Sequence, residues 1–496
     1  MEKVNIEDTN ALPPVKPTSN HVEECPDKAC ERVQALPDPD AERRLVRKLD
    51  RTVLTWITLL YLLSYLDRSN IGNARNIGLA TDLGLSSRMY QIASAAFYIG
   101  TVTCGTIGGL MLKVVRPSYW LGICAIGWGA VSTLQAACTT PGGLIAVRLF
   151  LGIFEASFAP GCALYLSFWY LKSELSLRIA VYAGMSAVSG IVSGLISYGL
   201  GTAQGKMAIQ AWQALFIVEG LPTFCLGLLT LWILPGRPES GRHHWFTEEE
   251  HSIVLNRRSR FTRNADNGIS LAQVKGAFLD YRLYLFILIY SGPCFSLTVS
   301  SVFLPTVVGT LGYSSIRANL MTVPVYAAAY IILLIMAGIS DKTRIRGTPV
   351  AFGTLISGLG YILLGTIRND TARYVSCFLS VVGSYVAFPI VLAWIASTFA
   401  GDTKAGVGIG IVIAVTHAIG VAASNVYPTS DEPQYTMGNA VSSALSFLSS
   451  VSAMAMSMLL YRENRKRDRR FGRPEIGVPI DMGGDADRSP DYRYQI

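Results

Sequence analysis

The sequence predicts an all-α integral membrane protein of about twelve transmembrane helices arranged in two six-helix halves. Three observations carry that expectation. Of 496 residues, 51% are apolar and only 15% are charged; mean hydropathy is +0.37; and apolar runs able to cross a ~30 Å hydrocarbon core at ~1.5 Å per residue recur along the chain. A soluble domain needs more polar surface than this. The formal net charge of +8 does not indicate nucleic acid as a partner, because the basic residues gather beside the apolar runs rather than interleaving with aromatics on a polar face. There they read as topology signals on the cytoplasmic side.

Residues 1–48 are rich in Pro, Asp, Glu, Asn and Lys, with neither apolar periodicity nor the apolar core of a signal peptide. They are expected to form a disordered cytoplasmic tail. The basic cluster Arg43, Arg44, Arg47, Lys48 and Arg51 abuts the first apolar run and holds the N-terminus inside. Spans are expected near 52–71, 89–112, 119–137, 144–168, 179–201 and 215–234, then near 284–306, 320–339, 349–366, 374–399, 406–426 and 441–461. The halves are thus 49–234 and 281–461, joined by a charged cytoplasmic linker at 235–280. A basic, disordered cytoplasmic tail is expected at 462–496. An even number of spans puts both termini inside; Lys342, Arg344 and Arg346 then fall inside as the positive-inside rule requires, whereas Arg368 and Arg373 fall outside. Cys25 and Cys30 lie in the N-terminal tail and most other cysteines inside apolar runs, so neither a disulfide framework nor a metal site is expected, and no cofactor.

The fourth span plants two charges in an otherwise apolar run. Arg148 and Glu155 are seven residues apart, about two turns, so with Gly152 they share one face at a separation of about 10.5 Å along the axis. A charge at the bilayer centre costs ~2.5–3.5 kcal/mol on insertion scales, so both are expected to face the bundle interior or a wet cavity. The first span adds Tyr61, Ser64, Tyr65, Asp67 and Arg68. Tyr61, Tyr65 and Arg68, at i, i+4 and i+7, form a face of two phenols and a guanidinium suited to holding a carboxylate bidentately. Ser64 and Asp67 lie on a different face. Two structural alternatives stand beside this reading: an Asp67–Arg148 ion pair that only locks two helices, and an Asp67–Arg68 pair at the outer interface. His417 in the eleventh span is either a proton relay or a hydrogen-bonding partner of a neighbouring helix. No phosphate loop or nucleotide fingerprint occurs, which leaves an ion gradient as the energy source. No nucleophile and base can be placed together, so an enzyme is not expected.

Six spans on each side of a linker is the layout of the major facilitator architecture, whose halves rock around a midplane site. The motifs are more specific. Tyr65-Leu-Asp67-Arg68-Ser-Asn70, Arg148-x-x-x-Gly152-x-x-Glu155-Ala, Phe168-Trp169-Tyr170-x-x-x-Glu174-x-x-x-Arg178, Leu215-Phe-Ile-Val-Glu219-Gly220 and Leu234-Pro235-Gly-Arg-Pro238-Glu239 together resemble the anion:cation symporter family of the major facilitator superfamily, in its fungal allantoate-permease-like branch. The resemblance spans about residues 50–465. It implies proton-coupled symport of a small organic anion: a carboxylate such as a ureido acid, vitamin acid or sugar acid. Asp67 and Glu155 would be the protonation sites; Arg68, with Tyr65 and Tyr61, would contact the substrate; Arg148 would bind or balance charge. Asp341, Lys342, Arg344 and Arg346 resemble the superfamily's cytoplasmic gating loop, with Ala337 where its leading glycine is expected. Ser157 stands where relatives carry glycine. The implied partners are the organic anion, protons and the lipid bilayer, with the chain working as a monomer in the plasma membrane. A same-fold exporter and a non-transporting nutrient sensor remain alternatives.

Overall fold

The computed structural model describes residues 39–171, 174–203, 207–259, 271–309, 315–399, 402–427, 431, 434–472 and 492–496, and within these the regular structure is helical. The first half comprises α1 (Pro39–Leu49), α2 (Thr55–Ala74), α3 (Ser87–Val114), α4 (Pro117–Leu134), α5 (Pro141–Ala156), α6 (Phe158–Trp169), α7 (Leu175–Ala183), α8 (Met185–Thr202) and α9 (Ala211–Ile233). The linker carries α10 (Glu248–Ser259) and α11 (Leu271–Leu279). The second half comprises α12 (Tyr281–Gly309), α13 (Ser315–Thr343), α14 (Gly347–Thr366), α15 (Asp370–Thr398), α16 (Asp402–Val426) and α17 (Thr436–Phe471). Ten described segments, from Pro117–Ala137 onward, are long and apolar enough to cross a membrane. The other two expected spans are also helices, α2 and α3.

Two expected single spans are each built as two helices. The fourth breaks between α5 and α6 at Ser157, whose φ and ψ are −84° and −15°. Pro160 supplies the cause: it has no N–H to donate to the Ala156 carbonyl four residues back. Glu155 therefore sits in the last turn before a discontinuity. The fifth span breaks between α7 and α8 at Gly184, where a side chain would meet the Tyr330 ring at 2.5 Å.

Small residues decide which helices touch closely. Gly152 of α5 lies so near α3 that a Cβ would meet the Phe97 carbonyl oxygen at 2.0 Å, and Gly100 of α3 returns the contact against the Leu149 oxygen at 2.5 Å. Gly122 and Gly129 of α4 and Gly220 and Gly227 of α9, each pair seven residues apart, bring those two helices together in the same way. Across the halves, α3 packs against α16, α8 against α13, and α7 against α13 and α15.

Both tails correct the sequence expectation where they are described. Residues 39–48, expected to be disordered, belong to α1, because Leu45 and Leu49, one turn apart, are buried. Residues 462–472, likewise expected to be disordered, continue α17 to Phe471, aided by an Arg467–Glu463 ion pair at i, i+4 spacing. Residues 492–496 are packed against the bundle, with Tyr492 and Tyr494 buried. Residues 1–38 and 473–491 of those tails lie outside the described residues.

The α3–α5 contact tolerates no side chain. Gly152→Val is expected to lower the melting temperature of the purified protein, with a loss of about 1–3 kcal/mol from overpacking; Gly142→Ala, in open space on the same helix, serves as the control that should change little.

Candidate functional site

The interior of the first half holds two guanidinium groups and three carboxyl groups, those of Arg68, Arg148, Asp67, Glu155 and Glu219. All but Arg68 expose no more than 3% of their surface. Glu155 is the hub. Its Oε1 accepts from Arg68 Nη2 (2.5 Å) and Nε (3.1 Å) and from Ser64 Oγ (2.7 Å), while Oε2 has no partner. Arg68 is thus paired to the fourth span through one carboxylate oxygen. Its guanidinium also lies over the Tyr65 ring at 4.5 Å and the Phe97 ring at 5.2 Å, a cation–π setting that stabilises the charge away from water. The close approach made possible by Gly152 brings Phe97 to this position.

Asp67 is held differently. Ser132 Oγ of α4 donates to its Oδ1 (2.5 Å) and Thr223 Oγ1 of α9 stands 3.1 Å from its Oδ2. Neither structural alternative for Asp67 occurs among the described residues: its partners are hydroxyls on two other helices, and it pairs with neither Arg148 nor Arg68. The Thr223 hydroxyl also lies 3.0 Å from the Glu219 main-chain oxygen, and since it owns one proton it serves one acceptor at a time. Arg148 is nearly unpartnered. Its Nε and Nη2 make no hydrogen bond, and its guanidinium lies over the Phe216 ring at 6.0 Å. A desolvated guanidinium with free donors fits an anion better than any other ligand.

The remaining expected residues divide. Tyr65 stays beside Arg68, but Tyr61 is 2% exposed and packs against Tyr65 (5.0 Å) and Tyr182 (4.9 Å), an aromatic wall behind the arginine. His417 faces Tyr98 of α3 at 6.2 Å between ring centroids, its Nδ1 is unbonded, and no described carboxylate bonds it. Tyr98 in turn meets Phe97 at 5.2 Å, so two rings stand between His417 and the ring face that Arg68 covers. No charge or motif in the sequence distinguishes Ser132, Thr223 or Phe97. The glycine spacing in α4 and α9 was the one available signal, since it sets Ser132 and Thr223 side by side.

The loop expected to gate, Asp341–Arg346, lies at the end of the bundle that also carries α1 and the end of α17. Arg346, fully buried, donates from Nη1 to Asp341 Oδ1 (2.6 Å). Asp341 Oδ2 accepts from the Leu177 main-chain N–H of α7 (2.7 Å), which joins the two halves. Lys342 and Arg344 are exposed and take no part in this contact. Around it stand further ion pairs: Arg178 with Asp50 (3.0 Å), and Arg257 with Glu42 (2.6 Å) and Glu174 (2.8 Å). Lys48 Nζ donates to Glu250 Oε2 (2.6 Å). Burial pushes the Glu250 carboxyl up, but the Lys48 bond and the Thr247 N–H outweigh it and hold it below the usual glutamate range. That pair therefore contributes stability above the ordinary glutamate pKa and loses it as pH falls through the lowered one.

The Arg68–Glu155 pair is testable as a unit. Arg68→Ala and Glu155→Ala are each expected to destabilise the purified protein by stranding the other charge, while the double variant loses less than the sum. A double-mutant cycle on thermal unfolding should return a coupling of about 1–3 kcal/mol.

Residues 57–424 match the family model described as the Major Facilitator Superfamily. The chain is 30% identical over 461 residues to "Uncharacterized transporter C11D3.18C" of Schizosaccharomyces pombe, covering 92% of this chain and 91% of that one. It is also 30% identical over 471 residues to "Major facilitator-type transporter hxnP" of Emericella nidulans, with 92% and 94% covered. The fold is similar to that of the solved proton:xylose symporter XylE, at a TM-score of 0.60, 16% identity and coverage of 82% of this chain and 95% of that one. This chain, a multi-pass membrane transporter by its fold and its relatives, belongs to the major facilitator superfamily.

Proposed function

We propose that this transporter is a proton-coupled symporter of a small organic anion, of the anion:cation symporter type in its allantoate-permease-like branch. The observation that carries the reading is the paired state of Arg68. The cation that would bind a substrate carboxylate is held by Glu155 through a single oxygen, so substrate and Glu155 compete for one guanidinium. A proton on Glu155 removes that competitor and frees Arg68 for the anion; an anion on Arg68 in turn favours the proton on Glu155. Binding of each promotes binding of the other, which is the linkage a symporter requires. Arg148, with donors unpaired, supplies a second positive group for the anion or offsets the charge of Asp67.

Asp67 keeps the charged first span oriented by hydroxyls that accept as readily as they donate, so it can gain or lose a proton without losing its neighbours. Alternating access would move the two halves about this site, with the Asp341–Arg346 end closing on the cytoplasmic side, both termini in the cytoplasm and the monomer seated in the plasma membrane. Proton coupling and organic anion transport both occur on this fold: solved members include the proton:xylose symporter XylE and a protein described as the human organic anion transporter MFSD10, at TM-scores of 0.60 and 0.55.

The direct test is uptake of a panel of radiolabelled organic acids by cells or vesicles containing the protein, at external pH 5 and 7, with and without a protonophore. Accumulation should rise in acid and collapse with the protonophore. Arg68→Lys, which loses the planar guanidinium fork, is expected to raise the apparent KM about tenfold. Glu155→Gln should abolish proton-driven accumulation while sparing exchange of substrate for substrate. Wild-type behaviour in both variants would remove these residues from the site.

A further inference from the structure

The last described residues, Tyr492–Ile496, do not trail from the bundle but thread across the end of the second half. Four separate elements hold them. From α17, Arg467 Nη1 donates to the Tyr492 main-chain oxygen (3.0 Å), Nη2 donates to Tyr494 Oη (3.1 Å), and Asn464 exchanges two hydrogen bonds with the Tyr494 main chain (2.8 and 2.9 Å). From α15, Trp394 Nε1 donates to the Gln495 oxygen (2.9 Å), and Tyr492 Oη donates to the Ser397 oxygen (2.5 Å). From α12, the Arg282 guanidinium covers the Tyr494 ring at 4.5 Å. The fourth element is the gating loop itself. Arg346 Nε donates to Gln495 Oε1 (3.0 Å), and the main-chain N–H groups of Arg346 and Gly347 donate to the Ile496 main-chain oxygen, the latter at 3.2 Å.

These bonds form one continuous chain: Gln495 to Arg346, Arg346 to Asp341, and Asp341 to the Leu177 N–H of the first half. Arg346 is the link. It is fully buried, and its planar head divides its donors between the strap on one side and the gate carboxylate on the other. A buried guanidinium stays in one orientation only while its donors find acceptors. We propose that Tyr492–Ile496 act as a C-terminal strap which, by fixing Arg346 against Asp341, holds the terminal-bearing face of the transporter closed.

The strap touches the second half and reaches the first only through Asp341. It therefore biases the opening of the gate instead of blocking a path. Releasing it frees one face of Arg346, weakens the Asp341 contact and raises the population in which the two halves part at this end. The aromatic anchors place the strap, and Gln495 transmits its effect. The inference rests on the alternating-access part of the proposed function and not on the identity of the substrate or on proton coupling.

The Leu177 amide reports the gate directly, because its hydrogen is the one donated to Asp341. Hydrogen exchange read by mass spectrometry on the full-length protein in lipid nanodiscs, without substrate, compares wild type, a variant lacking residues 492–496 and Gln495→Ala. The peptide containing Leu177 is expected to exchange about tenfold faster in both variants, a shift equivalent to about 1.4 kcal/mol. Peptides from the membrane-embedded parts of α4 and α9 should be unchanged. Adding the synthetic peptide Asp-Tyr-Arg-Tyr-Gln-Ile to the truncated protein should restore slow exchange. Unchanged exchange at Leu177 in both variants overturns the proposal, as does acceleration spread evenly over the whole protein, which marks general loosening instead of release of a gate. Because the readout needs no substrate, failure of every organic acid in the uptake assay leaves this outcome standing or falling by itself.

Discussion

Everything in the first half depends on how one ion pair is kept out of water. Arg68 and Glu155 meet where a stranded charge is costly, and the surrounding structure is arranged to prevent that. Ser64 gives Glu155 a second donor. Tyr65 and Phe97 give Arg68 two ring faces. Phe97 can take that place only because Gly152 lets the α3 backbone come into contact with α5. The break at Ser157 then puts Glu155 at the end of a helical segment, where the regular helical hydrogen bonding is interrupted beside the pair. Backbone, small residues and charge thus form a single arrangement, and a change in any one reaches the others.

The fold was legible because it follows from counting. Apolar runs of membrane-spanning length and the position of the long charged linker account for the two six-helix halves, and the charges of the first and fourth spans were expected in one interior because lipid tolerates neither. The partners of those charges were not legible. Helical spacing shows that Asp67 and Arg68 diverge by about 100°, but not which helix each then faces. Asp67 turned out to face Ser132 and Thr223, two of many hydroxyls in the spans, distinguished only by the glycines that bring α4 and α9 together. Arg68, the guanidinium expected to contact a substrate, is bonded to Glu155, a partner that helical spacing does not reveal. The structure brings together Arg68, Tyr65, Glu155 and, separately, Asp341 with Arg346; it leaves His417, Lys342 and Arg344 apart from either group.

The described parts of the tails escaped the sequence for a related reason. Their residues are mostly charged, and charge density reads as disorder when no apolar period accompanies it. Yet α1 docks through Leu45 and Leu49 with the Glu42 and Lys48 ion pairs beside them, and residues 492–496 dock through two tyrosines, a glutamine and the Arg493–Asp468 pair, because the acceptors and donors they meet are already fixed on the bundle. Composition averages over such sparse anchors.

The two charged centres use their arginines in opposite ways. In the first half Arg68 shares its carboxylate with one serine and Arg148 has unpaired donors, which on the proposed function leaves the positive groups there open to an incoming anion. At the terminal-bearing end Arg346 is bonded to Asp341 and to Gln495, so its orientation is committed. On the two proposals, an underbonded arginine serves binding, since a ligand completes it, and a bonded one serves closure, since opening must first undo it. The same residue type, desolvated in both places, is given a different task by the number of acceptors around it.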